Sequence, residues 1–109
     1  MSYVANYAES AMDRAEVDAL PGNVLIEFGA NWCGHCQGAQ SFIEAALSGK
    51  PELRHIKVED GSGRRLGRTF RVKLWPTLIL MRDGQEIGRV VRPDSDMEFA
   101  ALFADLTAG

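Results

Sequence analysis

An α/β fold, with a central mixed sheet of four to five strands and helices on both faces, follows from three observations. The run Val24-Leu25-Ile26-Glu27-Phe28 is apolar on both faces, as a strand covered from each side must be. Asp83-Gly84 separates two strand-like runs and reads as a tight antiparallel hairpin. Phe99, Leu102, Phe103 and Leu106 recur at i, i+3, i+4 and i+7, the inner face of an amphipathic helix. A chain of 109 residues, 46% hydrophobic, is expected to form one domain, residues 1–109. It can bury a core without a metal or a structural disulfide.

Taken in order, Tyr3, Ala5 and Tyr7 form one face of a candidate edge strand, but Val4 spoils the alternation. Asp13-x-x-Glu16 has the spacing of a capping box and predicts a short helix. That helix carries Val17 and Leu20 inward and stops before Pro21-Gly22. The central strand over Val24 to Phe28 follows. The helix after Cys33 runs to about Leu47, with Cys36, Gln40, Ile43 and Leu47 on one stripe, and ends at Gly49 and Pro51. Gly38 inside it costs about 1 kcal/mol relative to Ala.

Leu53 to Glu59 alternates and predicts a strand nearer an edge. Asp60-Gly61-Ser62-Gly63 is a turn, with Ser62 a candidate cap for a helix to Phe70 whose inner face is Leu66 and Phe70. Thr77 to Met81 and Glu86 to Val91 are the hairpin strands, and Ser95-x-x-Glu98 is a second capping-box spacing. The order is β-α-β-α-β-α-β-β-α, if the first strand forms.

Both cysteines lie in Asn31-Trp32-Cys33-Gly34-His35-Cys36-Gln37. A strand feeding a helix through Cys-x-x-Cys puts Cys33 at the helix N-terminus, where free N–H groups and the dipole favour an anion. A thiolate is the anion that thiol–disulfide exchange needs. The sequence therefore predicts a redox-active Cys33–Cys36 pair, Cys33 as nucleophile and Cys36 as resolving thiol. Gly34 permits the tight entry to the helix. His35 can charge beside the Cys33 thiolate or donate a hydrogen bond to it, which stabilises the reduced form and raises the potential.

Other classes find less support. A net charge of -3 argues against nucleic acid as a partner. Two cysteines are too few for a secreted disulfide scaffold or an all-cysteine zinc site. Asp60-Gly61-Ser62-Gly63 lacks the length and Lys of a phosphate loop, so no bound cofactor is expected. No run approaches the roughly 20 apolar residues of a membrane span. Met1 to Asn23 has no basic start followed by an apolar run, so no leader is read and the cytoplasm is the expected compartment. A monomer is expected.

Four signals, in order and spacing, resemble the thioredoxin family: the strand at 24–28, Trp32-Cys33-Gly34-His35-Cys36, Pro76-Thr77 opening a strand, and the Asp83-Gly84 hairpin. The likeness covers Asp13 to the C-terminus. It implies a thioredoxin fold and a cis Pro76 beside the cysteines that presents backbone to a substrate chain. It implies that Glu27, where thioredoxins carry a buried Asp, exchanges a proton with Cys36, and that Lys57 pairs with Glu27. It implies that Trp32 shields the disulfide and contacts substrate. Clients would be disulfide-containing proteins, and electrons would come from an NADPH-dependent flavoprotein of the thioredoxin reductase type.

Several positions depart from the pattern. Cys-Gly-His-Cys is typical of protein disulfide isomerases, which suggests a more oxidising protein. Trp75 stands where a small or β-branched residue is usual, so its ring fills or borders the cleft or packs on Trp32. Gly29 replaces a common aromatic residue, and Ser41 a helix-kinking Pro. Arg92-Pro93 replaces the Gly beside the substrate groove, adding bulk and positive charge next to a basic stretch, Gly61 to Arg71. The expected function is reduction of protein disulfides. An oxidase or isomerase, and a non-catalytic binding or scaffold protein, are the alternatives.

Overall fold

The computed structural model describes residues 3–9 and 12–106, the side chain of Asp105 excepted. Four strands form one sheet: β1 (Asn23–Gly29), β2 (Arg54–Glu59), β3 (Thr77–Arg82) and β4 (Gln85–Val91). Their spatial order is β2-β1-β3-β4. β1 pairs in parallel with β2 and antiparallel with β3, and β3 pairs antiparallel with β4. This is the thioredoxin-type topology, with β2 on an edge.

The helices are α1 (Arg14–Asp18), α2 (Gly34–Ser48), α3 (Arg65–Thr69) and α4 (Asp96–Leu102), with a 3-10 turn at Ala104–Leu106. The period of two along β1 sorts the core into two layers. Val24, Ile26 and Phe28 face Val17 of α1 and Leu66 and Phe70 at α3. Leu25 faces Ala39, Ile43 and Leu47 of α2 and Phe99 of α4. Glu27 shares the parity of Leu25 and so points beneath α2.

Local signals set several boundaries. The Asp13 carboxylate accepts the Glu16 N–H at 2.9 Å, and Glu16 accepts the Asp13 N–H at 3.2 Å, a complete capping box. Asp83 and Gly84 both have positive φ, 47° and 82°, as a two-residue hairpin turn of right-handed twist requires. Asp83 also exchanges two hydrogen bonds with Gly22, tying the hairpin tip to the loop before β1.

Four expectations are corrected. The N-terminal segment forms no strand among the described residues, only a single parallel bridge from Ala8 to Val58 on the free edge of β2. Tyr3 and Tyr7 turn inward instead of lying along a sheet edge. Ser62 caps nothing: Gly61 and Gly63 both take positive φ, which prolongs the turn, and α3 starts one residue after Arg64. Ser95 occupies the N-cap of α4 without a side-chain bond, while Glu98 reaches back to the Asp94 N–H at 2.8 Å. α4 also stops at Leu102, although Phe103 and Leu106 still pack against the same core.

The hairpin supplies a stability test. A Cβ on Gly84 would lie 2.1 Å from the Asp18 carbonyl oxygen, at a φ that L residues rarely adopt. Gly84→Ala is expected to cost about 2 kcal/mol or more, read as a lower denaturant midpoint. An unchanged midpoint would mean that the turn relaxes freely.

Candidate active site

The chain ends of this sheet assemble the site. β1 and β2 run parallel, so Ala30 and Asp60 leave the sheet at one end. Thr77 opens β3 opposite Phe28, and Val91 closes β4 opposite Thr77. The cysteine loop, the Asp60 loop, Trp75-Pro76 and Arg92 therefore converge there. The Trp75–Pro76 bond is cis.

Cys33 is the N-cap residue of α2, and its Sγ accepts the Cys36 N–H at 3.3 Å. A sulfur so placed meets the positive end of a 15-residue helix, which stabilises negative charge on it. Both cysteines are free and nearly covered by protein. Burial, reinforced by the Cys33 hydrogen bond, pushes the Cys36 thiol up to about 11. Cys36 thus holds its proton at neutral pH and must lose it to act as a nucleophile. His35 lies between them, exposed on the first turn of α2.

Glu27 is fully buried. Its Oε1 faces His55 Nε2 at 2.9 Å. The Val4 N–H donates to His55 Nδ1 at 2.9 Å, so the imidazole proton sits on Nε2 and is donated to Glu27. Glu27 Oε2 accepts from Gln40 Nε2 at 3.0 Å and from the Tyr7 hydroxyl. Lys57, paired in register with Glu27, brings its ammonium to 3.9 Å from Oε2, an ion pair without a hydrogen bond. That ammonium donates to Gln40 Oε1 at 2.7 Å and the Ala5 carbonyl at 2.6 Å. Burial lowers the Lys57 pKa, and the Glu27 charge opposes that shift.

The Tyr7 ring packs with Cys36 in one buried cluster, and its hydroxyl and the Cys36 sulfur both border the space over Gly29. Burial first, then Glu27, raises the Tyr7 pKa far above its ordinary value. The tyrosine joins Ala30 and the two cysteines in a small apolar cluster against Trp75.

The aromatic rim is open. Trp32 is 73% exposed and meets Trp75 edge to face, 5.6 Å between centroids. Trp75 is half-buried, its indole N–H donating to Asp60 at 2.8 Å. Arg92 adopts φ 50°, a conformation that glycine reaches without cost. Its side chain is exposed, and Nε donates to the Trp75 carbonyl at 2.9 Å. Among the described residues no His, Cys, Asp or Glu cluster could hold a metal ion, and no helix is long and apolar enough to cross a membrane.

The structure thus brings Glu27 and Lys57 together in one network, and sets Trp75 against the cysteines with Trp32, Pro76 and Arg92 adjoining Trp75. Sequence reasoning did not identify Tyr7, Gln40 or His55 as parts of this network. For Tyr7 the one signal was Gly29, an empty position next to the cysteines; the sequence holds none for Gln40 or His55.

A family model described as Thioredoxin matches residues 5–105. Thioredoxin 2 from Pseudomonas aeruginosa PAO1, solved in its reduced form, superposes with a TM-score of 0.81 and 50% identity, covering 93% of this chain and 97% of that one. Thioredoxin from Chlamydia trachomatis serovar D is 40% identical over 70 residues, 64% of this chain and 69% of that protein. Thioredoxin H2-1 from Oryza sativa subsp. japonica is 34% identical over 73 residues, 67% of this chain and 53% of that protein, so the match spans about half of it. These likenesses support thiol-redox, oxidoreductase chemistry in general.

The thiol arrangement is open to titration. In a Cys33→Ser variant, alkylation of Cys36 by iodoacetamide is expected to be slow at neutral pH. It should rise tenfold per pH unit and level off well above the ordinary thiol range of about 8.5, because burial still raises the Cys36 thiol once Cys33 is gone and only the thiolate reacts. A plateau already reached near pH 8 would contradict the assigned environment.

Proposed function

The chain belongs to the thioredoxin family, and from that premise we propose that it reduces protein disulfides by dithiol–disulfide exchange. The observation that carries this reading is Cys33 Sγ at the N-cap of α2, hydrogen-bonded by the Cys36 N–H. The Cys33 thiolate attacks a client disulfide and forms a mixed disulfide, displacing one client sulfur as thiolate. Cys36, deprotonated with help from the Glu27 network, then attacks Cys33. The second client sulfur leaves, and a Cys33–Cys36 disulfide remains. An NADPH-dependent flavoprotein of the thioredoxin reductase type would return two electrons to that disulfide. The proposed setting is the cytoplasm and the proposed state a monomer.

The client would meet the protein at Trp32, Trp75 and Pro76. Beside Trp75 lies a cavity of about 290 Å³ whose charged lining is Arg64, Arg68, Arg71 and Lys73 against the single carboxylate of Asp60. Arg64 is paired with Glu59 and Glu9. Arg68, Arg71 and Lys73 have no ion-pair partner among the described residues, so this margin favours acidic client segments.

A second reading, a thiol oxidase or disulfide isomerase, is favoured by His35, which lies between the two thiols where it can stabilise the reduced form. A non-catalytic binding protein is the third.

The reduction potential of the pair, set by equilibration with glutathione, separates the first two. A value near about -270 mV supports the reductant, and one near about -180 mV supports the oxidase or isomerase. Cys33→Ser should abolish turnover for both and leave a pure binding function intact. Client choice is read separately: Arg68→Glu with Lys73→Glu should lower kcat/KM for an acidic disulfide peptide about tenfold at low salt. The deficit should shrink as the Debye length falls in high salt. Equal losses for acidic and basic peptides would remove the charge-selection proposal.

A further inference from the structure

Resolution of the mixed disulfide requires a proton to leave a buried thiol. The obvious acceptor, Glu27, makes no direct hydrogen bond to either cysteine among the described residues. Its hydrogen-bonding partners are Tyr7, Gln40 and His55. Of these, Tyr7 packs in one buried cluster with Cys36, its hydroxyl bordering the same small space as the Cys36 sulfur.

The position of Tyr7 is built, not incidental. Its N–H donates to Asn31 Oδ1 at 2.9 Å, and Asn31 Nδ2 donates back to the Tyr7 carbonyl at 3.2 Å. This reciprocal pair fixes the tyrosine backbone to the loop that carries Cys33. The next residue, Ala8, is bridged to β2. The ring is 6% exposed. The hydroxyl and the sulfur both border the space over Gly29: a Cβ there would stand 2.6 Å from Cys36 Sγ and 2.7 Å from the Tyr7 oxygen. Any other residue at position 29 would occupy the space in which the two groups meet.

We propose that Tyr7 is a catalytic residue of the resolving step, its hydroxyl relaying the proton of Cys36 to the Glu27 carboxylate; the proposal rests on the dithiol-exchange reading above. The Cys36 S–H passes its proton to the Tyr7 oxygen while the Tyr7 O–H passes its own to Glu27 Oε2. The freed Cys36 electron pair forms the bond to Cys33 Sγ. The Cys33–client S–S bond breaks, and its electron pair leaves with the client sulfur. One proton has moved to Glu27, the client sulfur is reduced, and the protein dithiol is oxidised. Tyr7 begins and ends as a neutral phenol. Its strongly raised pKa agrees with a transfer in which it never holds negative charge.

Other charged and titratable groups face the hydroxyl. The Lys57 ammonium lies 4.4 Å from the centre of the Tyr7 ring. It holds positive charge near the developing thiolate but is a donor only, and it is already engaged with Gln40 and Ala5. His55 also gives its one ring proton to Glu27, leaving no acceptor toward Cys36.

The test is Tyr7→Phe, which keeps the ring and removes the relay. A disulfide-bonded peptide is mixed with reduced protein, and samples are acid-quenched for mass spectrometry. Capture by Cys33, followed in a Cys36→Ser background, should be unchanged. Release in the Cys36-containing variant should slow about 10²-fold at pH 7, with the mixed disulfide accumulating. The deficit should close as pH climbs into the alkaline range where the buried thiol ionises unaided. Release at the wild-type rate, or a loss equal in capture and release or constant with pH, would overturn the relay.

If the variant folds poorly, a proton inventory of wild-type release in mixed H2O and D2O decides the question. Two protons in flight give a curved plot, and a straight plot overturns the relay. Wild-type protein that fails to reduce the peptide overturns the parent function itself, whereas wild-type turnover with an unaffected variant removes only Tyr7.

Discussion

Burying the Glu27 carboxylate removes ion–water interactions worth several kcal/mol even after relaxation, and the surrounding chain replaces them group by group. Tyr7, Gln40 and His55 donate hydrogen bonds, and Lys57 supplies the opposing charge. The donors are themselves tied down: Gln40 by the Cys36 carbonyl, His55 by the Val4 N–H, Lys57 by the Ala5 carbonyl. Among the described residues no buried side-chain nitrogen or oxygen lacks a partner. The requirement to satisfy one carboxylate thus joins the N-terminal segment, β1, β2 and α2 into one polar unit inside an apolar layer.

That unit explains how a short motif acquires two unlike sulfurs. Cys33 sits where a helix ends and free N–H groups converge. Cys36, one turn into α2, faces the tyrosine and the acid below. The outer thiol meets positive potential and substrate, while the inner one meets burial and a path for its proton. The division of labour between nucleophile and resolving thiol follows from which side of α2 each sulfur occupies.

Legibility in the sequence followed the range of the interaction. The capping box of α1 needs residues three apart, and the hairpin needs two adjacent ones, so both were readable. The apolar period of β1 placed it centrally, and the same period set Glu27 beneath α2 once Leu25 was assigned to that layer. Tyr7 and His55 lie 20 and 28 residues from Glu27. Their contacts depend on strand register and on an N-terminal segment that turns inward, neither of which periodicity encodes. The alternation of β2 put His55 on the same face as Lys57, but that α2 and the N-terminal segment cover this face is not encoded in the alternation. Ser62 had the chemistry of a cap, but two glycines with positive φ moved the helix start beyond it.

The absent side chain at Gly29 makes positions 7 and 29 a single choice. The pocket beside Cys36 holds one aromatic ring, and here the ring comes from the N-terminal segment. An aromatic residue in place of Gly29 would put bulk there from β1 itself. The two solutions are sterically exclusive, so a change from one to the other needs both positions to change together. The cost of either change alone should not add to the other, because they compete for one volume. The pair should therefore covary among relatives that otherwise differ freely, and a small residue at 29 marks chains whose N-terminal segment is part of the redox centre.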